Sequence, residues 1–212
     1  MKTVVFLGPS IRREKVKVPA NTKIAGPIRR GDLDSFHEFD RFVVIDGEFD
    51  QSLSVSPKEI LRILDQGKSV IGASSMGALR ASELKDFGMV GLGWVYRMFV
   101  RAAVRQDDDV ALTFNPLNFL PTTVPMVNVK YWMEEGRKQG AICNRDGAAV
   151  IRAARRVFYA DRTEALLRDL VESQLGHLKT QQLLEVSGGT IPDIKSMDAR
   201  EALEVVGVSV QM

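Results

Sequence analysis

A chain of 212 residues that is 45% hydrophobic is long enough for one substantial core, or for an α/β domain with a helical appendage. Its formal charge of +2 points to no partner class. One cysteine, Cys143, excludes an intrachain disulfide framework and CxxC chemistry, and two well-separated histidines, His37 and His177, give no metal signature, so neither metal nor cofactor is expected.

In chain order, Thr3-Val-Val-Phe-Leu7 is a near-continuous apolar run, as in a strand buried on both faces of a parallel sheet. Gly8-Pro9-Ser10 ends it in a turn that matches neither a phosphate loop nor a GxGxxG fingerprint. Residues 11–30 then carry Arg12, Arg13, Lys15, Lys17, Lys23, Arg29 and Arg30 against a lone Glu14. That segment is either a solvated loop or a patch for an acidic partner or chain terminus. A second short strand is expected at 23–25, and a short helix carrying His37 after Gly31.

Arg41-Phe-Val-Val-Ile-Asp46-Gly47 is the strongest strand signal and delivers Asp46 to its carboxyl end, the edge where open α/β sheets bind ligands. The same aspartate would also serve simply to bond nearby loop amides. Ser56-Pro57-Lys58-Glu59 is a capping box with proline at the first helical position, so a helix starts there and stops at Gly67. Ser69-Val70-Ile71 is a short buried strand. From Gly72 to Gly77 only small residues precede Met76, and a helix follows. Such a turn allows close backbone approach and sets Ser74 and Ser75 at a helix start. Ala73-x-Ser75-x-Gly77 has the shape of a nucleophile elbow, although a serine there can equally be a plain helix cap.

Beyond a glycine-rich turn at 84–93, a helix is expected over 94–104, then three carboxylates at 107–109 before a strand-like 110–114. The carboxylates suit a solvated loop, a divalent ion or the seating of a basic residue. Three prolines in 115–125 mark a boundary, and the pattern is helical afterwards: about 125–139, 146–159, 163–173, 178–187 and 198–206. The fold expected is a small parallel-sheet, Rossmann-like α/β domain over 1–124, followed by a mostly helical region over 125–212. No long apolar run or signal-peptide order appears, and a soluble, cytoplasmic protein is expected.

Phe6-Leu-Gly-Pro-Ser10, Val44-Ile-Asp-Gly-Glu-Phe49, Pro57-Lys-Glu-Ile60, Gly72-Ala-Ser-Ser-Met-Gly-Ala-Leu-Arg-Ala-Ser-Glu-Leu84, Gly88-Met-Val-Gly91 and Asp107-Asp-Asp-Val-Ala111 together resemble, in order, the TfuA-like core domain. The resemblance spans about residues 3–130, and its most specific stretch is the run from Gly72. It implies a partner of YcaO enzymes, which use ATP to convert a backbone amide into a thioamide. It further implies sulfur supply, by hydrolysis of the C-terminal thiocarboxylate of a ubiquitin-like sulfur carrier with release of sulfide.

That chemistry needs a nucleophile or activated water, donors for an oxyanion and a cation for the anionic terminus. Ser75 or Ser74 is the candidate nucleophile, Asp46 the base or orienting group, and Lys58 a secondary candidate for anchoring or proton transfer. The amides of Met76 and Gly77 are candidate oxyanion donors, with Gly8, Gly47 and Gly72 lining the substrate site. Arg80 either holds the terminus or is structural. A Ser-His-Asp triad is not expected, because only His177 follows the elbow in hydrolase order. Expected partners are YcaO and the carrier, with no nucleic acid and no membrane; a homo-oligomer stays open. The competing reading is a non-catalytic adaptor that binds and activates YcaO.

Overall fold

The computed structural model describes residues 1–49, 52–102 and 107–211. Its strands are β1 (Thr3–Phe6), β2 (Val16–Lys17), β3 (Thr22–Ala25), β4 (Arg41–Val44), β5 (Ser69–Gly72), β6 (Val90–Gly91) and β7 (Ser209–Val210). Its α-helices are α1 (Pro57–Asp65), α2 (Met76–Leu84), α3 (Gly93–Val100), α4 (Met126–Lys138), α5 (Asn144–Ala154), α6 (Glu164–Leu175), α7 (His177–Val186) and α8 (Ile194–Val205). None of the described helices is long and apolar enough to cross a membrane.

Five strands form a parallel sheet in the order β3-β1-β4-β5-β6, as the apolar runs and their helical connections require. Alternation along the strands divides the sheet between two cores. Val4, Phe6, Phe42, Val44 and Val70 face one core with Ile60 and Ile63 of α1 and Ala81 and Leu84 of α2. Val5, Leu7, Val43, Ile45 and Ala73 face the other, with Ala199, Ala202 and Leu203 of α8. The capping box forms as expected. Ser56 Oγ accepts from the Glu59 amide at 3.3 Å, and the Glu59 carboxylate accepts from the Ser56 amide at 2.8 Å.

Two compact units result: Met1–Asp107 with Lys195–Met212, and Asp108–Ile194. The helical stretch beyond 125 is thus shared between them, because α8 covers the second face of the sheet and β7 pairs antiparallel with β2. Asp198 fastens α8 by accepting from the amides of Trp94 (2.8 Å) and Val95 (2.7 Å) at the start of α3. Burial pushes its carboxyl up to about 6, against those two hydrogen bonds.

The second unit packs α4 to α7 around Trp132, Val129, Leu167, Val171 and Leu183. Its acidic run seats basic residues. Asp109 is fully buried against Lys130 (2.9 Å) and Arg155 (3.3 Å), and Asp108 meets the buried Arg162 at 3.4 Å. Burial holds the Lys130 ammonium below the usual lysine range, partly offset by Asp109.

Three local expectations change, the first being the helix expected over 146–159, which is α5 and ends at Ala154. The helix expected over 94–104 is α3, ending at Val100, and residues 103 and 104 lie outside the described ones. The strand expected over 110–114 reduces to an isolated bridge between Phe114 and Pro121. Instead the Leu120 carbonyl accepts from the Asn115 amide at 2.9 Å, and Phe119 turns at φ 56°, closing a tight loop between prolines that cannot donate to a ladder.

Candidate functional site

The strand register builds the site. Phe6 of β1 pairs with Val44 of β4, and Val44 with Gly72 of β5. Two residues past each paired position stand Gly8, Asp46 and Ser74, side by side at the carboxyl edge of three adjacent parallel strands. Asp46 and the elbow therefore meet, as their strand ends suggest.

Asp46 is almost wholly buried, so its carboxylate must be answered by donors. Oδ2 accepts from the amides of Gly8 (2.9 Å) and Ser10 (3.1 Å), and Oδ1 accepts from Ser10 Oγ at 2.7 Å. Ser10 Oγ also lies 2.9 Å from Ser74 Oγ. Direction follows from proton count. A carboxylate only accepts, so the single hydroxyl proton of Ser10 goes to Asp46, and Ser74 must donate to Ser10. The result is an oriented chain, Ser74 to Ser10 to Asp46.

The turn that holds Ser74 is strained. Its φ is +66°, a left-handed value uncommon outside glycine, and Ser75 follows at φ −118° and ψ −116°. Small residues make this bend feasible. A Cβ on Gly77 would stand 1.7 Å from the Val44 carbonyl oxygen, and one on Gly72 would stand 2.1 Å from the Gly77 carbonyl oxygen. Close contact then lets Ala73 N–H donate to Val44 O (3.1 Å) and Gly77 N–H to Ile45 O (3.3 Å), pinning the start of α2 onto β4.

Those bonds sort the expected residues. The Gly77 amide is committed to Ile45, whereas the Met76 amide has no acceptor among the described residues. Ser75 is the N-cap of α2 but makes no side-chain cap bond, and its hydroxyl does not join the chain to Asp46. Gly8 faces the Pro27 ring and the Asp46 Cβ, and Gly47 packs between Ile28 and Met76. Arg80 spends its donors within the fold: Nε on Val55 O (2.8 Å), Nη2 on Ser54 Oγ (3.0 Å) and Nη1 on Glu83 (2.8 Å). Lys58 is exposed in the first turn of α1 and makes no hydrogen bond or ion pair among the described residues.

Ser10 is the residue sequence reasoning missed as a site member. Its only signal is position, in a Gly-Pro-Ser turn that follows a buried strand at the carboxyl edge of the sheet.

No curated protein matches the chain. A family model described as TfuA-like protein matches residues 46–163, more than half of the chain, taking in Asp46, Lys58 and the whole elbow. That match supports a role as a TfuA-type partner of a YcaO enzyme in thioamide formation. With residues 46–163 matched, Asp46, the elbow and the acidic run among them, the chain belongs to the TfuA-like family.

Proposed function

We propose that the protein hydrolyses the C-terminal thiocarboxylate of a ubiquitin-like sulfur carrier, releasing sulfide for its YcaO partner. The observation that carries this reading is the oriented chain from Ser74 through Ser10 to Asp46, beginning at a strained elbow. Ser74, rather than Ser75, is then the nucleophile. As its Oγ bonds to the thiocarboxylate carbon, its proton passes to Ser10 while the Ser10 proton passes to Asp46. The tetrahedral oxyanion is met by the uncommitted Met76 amide at the positive end of α2. Collapse breaks the C–S bond, and the proton returns along the chain to sulfur, which leaves as HS⁻. Water then repeats the sequence on the acyl-serine, giving a carboxyl group and restoring the Ser74 hydroxyl. Arg80 and Lys58 are assigned no step, the first because its donors are used internally and the second because nothing ties it to the chain.

The adaptor reading has one observation in its favour: Ser74, Ser10 and Asp46 are all at most 4% exposed, as members of a purely structural network would be. Incubating the purified protein with a thiocarboxylated carrier in the absence of YcaO separates the two. The hydrolase reading expects free sulfide, and an adaptor releases none.

A further inference from the structure

The exposed basic residues that follow β1 have a position as well as a charge. Arg12 lies two residues beyond Ser10, so its Cα is within about 7 Å of that of Ser10 by chain reach alone. It is exposed, and its side chain makes no ion pair or hydrogen bond among the described residues. Arg13 folds back instead, with Nη2 donating to the Leu7 carbonyl at 3.1 Å. Leu7 immediately precedes Gly8, whose amide holds Asp46, so this guanidinium sits one residue from the proton chain. Across the sheet edge, the Leu7 amide donates to Ala25 O at 3.2 Å, and the turn after β3 brings Arg29 and Arg30 to the same edge. Arg29 is partly answered by Glu48 at 3.2 Å. Arg12, Arg13, Arg29 and Arg30, which follow the carboxyl ends of β1 and β3, thus form a positive rim at the edge that carries Ser10 and Asp46.

We propose that this rim, centred on Arg12 and Arg13, docks the sulfur carrier by its acidic surface and its anionic terminus. The proposal rests on the hydrolase reading for the identity of the occupant. Charge complementarity supplies the match, since the reacting group is itself an anion and must approach past these side chains. Guanidinium groups also suit carboxylate-like anions, because their planar donors meet two acceptor atoms at once. A rim of this kind contributes association rate and register, and its effect is screened by salt.

The test compares two substrates, the thiocarboxylated carrier and thioacetate, which carries the reacting group without a protein surface. Arg12→Glu is expected to lower the ratio of carrier to thioacetate kcat/KM by about tenfold or more, and to flatten its salt dependence. Arg152→Glu, the same charge change at an exposed position of the helical unit, should leave the ratio as it is. An unchanged ratio in Arg12→Glu overturns the rim while leaving hydrolysis intact. If the wild-type protein hydrolyses neither substrate, the hydrolase reading has failed. The rim is then judged by calorimetric titration of the unthiolated carrier at about 50 and about 300 mM salt. Weaker, less salt-sensitive binding by Arg12→Glu supports it, and equal binding overturns it. Loss of YcaO association with carrier binding intact would assign the rim to YcaO and also overturn the proposal.

Discussion

Ser10→Ala removes one oxygen from a site that uses it twice. The Ser10 hydroxyl supplies the 2.7 Å donor to Asp46 Oδ1 and receives the Ser74 proton across 2.9 Å. Asp46 keeps the amides of Gly8 and Ser10 on Oδ2, so its carboxylate stays anchored and the loop keeps its path. Two buried groups, Asp46 Oδ1 and Ser74 Oγ, each lose a partner. At about 1–3 kcal/mol for each unanswered buried group the loss is about 2–6 kcal/mol, and water entering the vacated space should hold it to about 2–4 kcal/mol. For a chain of this size that lowers Tm by roughly 4–16 °C, leaving a folded protein at 25 °C. Activity should fall much further, because the path from Ser74 to its base is cut: about 10²–10⁴-fold in sulfide release. Because Ser10 and Asp46 act as one unit, Ser10→Ala/Asp46→Asn should be little worse than the more damaging single variant. The assay is sulfide release from thiocarboxylated carrier, with thermal melts on the same samples. Sulfide release within about threefold of wild type from a folded Ser10→Ala protein would refute the relay.

Gly77→Ala should prevent stable folding of the sheet unit, because its Cβ would meet the Val44 backbone carbonyl at 1.7 Å and neither strand nor helix can yield; soluble yield and melting report it. Asp109→Asn should destabilise by about 3–5 kcal/mol, since it removes the buried carboxylate that the Lys130 ammonium meets at 2.9 Å, and Asp109→Asn/Lys130→Met should recover part of the loss in denaturant titration. Asp198 gives a pH signature. Its folded value of about 6 exceeds the ordinary 3.8, so the folded protein holds this proton more tightly than the unfolded chain. The stabilisation is full below about 3.8 and is lost as pH rises through about 6. The Tm difference between wild type and Asp198→Asn should therefore shift against the wild type between pH 4 and pH 7, and a constant difference would contradict it.

Much of the sheet was legible because its signals are local. The apolar runs at 3–7, 42–46 and 69–73, the capping box at Ser56 and Gly-rich punctuation each state their element within a few residues. The meeting of Asp46 with the elbow was legible too, since parallel strands deliver consecutive carboxyl ends to one edge. Choosing between Ser74 and Ser75 was not. The two residues are chemically identical, and they are told apart only by the backbone turn, set by how closely Gly72 and Gly77 let α2 approach β4. Ser10 was hidden because its partner is 36 residues away and its turn carries no periodic signal. The return of α8 to the sheet, and of β7 to β2, was hidden for the same reason: an amphipathic helix shows that it has an apolar face, not what covers that face.

The central claim is that Ser74 begins a proton chain that drives thiocarboxylate hydrolysis. It is tested most directly by Ser74→Ala and Ser75→Ala side by side, scored for sulfide released from a thiocarboxylated carrier without YcaO. Both substitutions are small, and matched melts establish that both proteins are folded. The account predicts that Ser74→Ala loses release by about 10²-fold or more, while Ser75→Ala, whose hydroxyl takes no part in the chain, keeps most of it. Full sulfide release by a folded Ser74→Ala protein would contradict it.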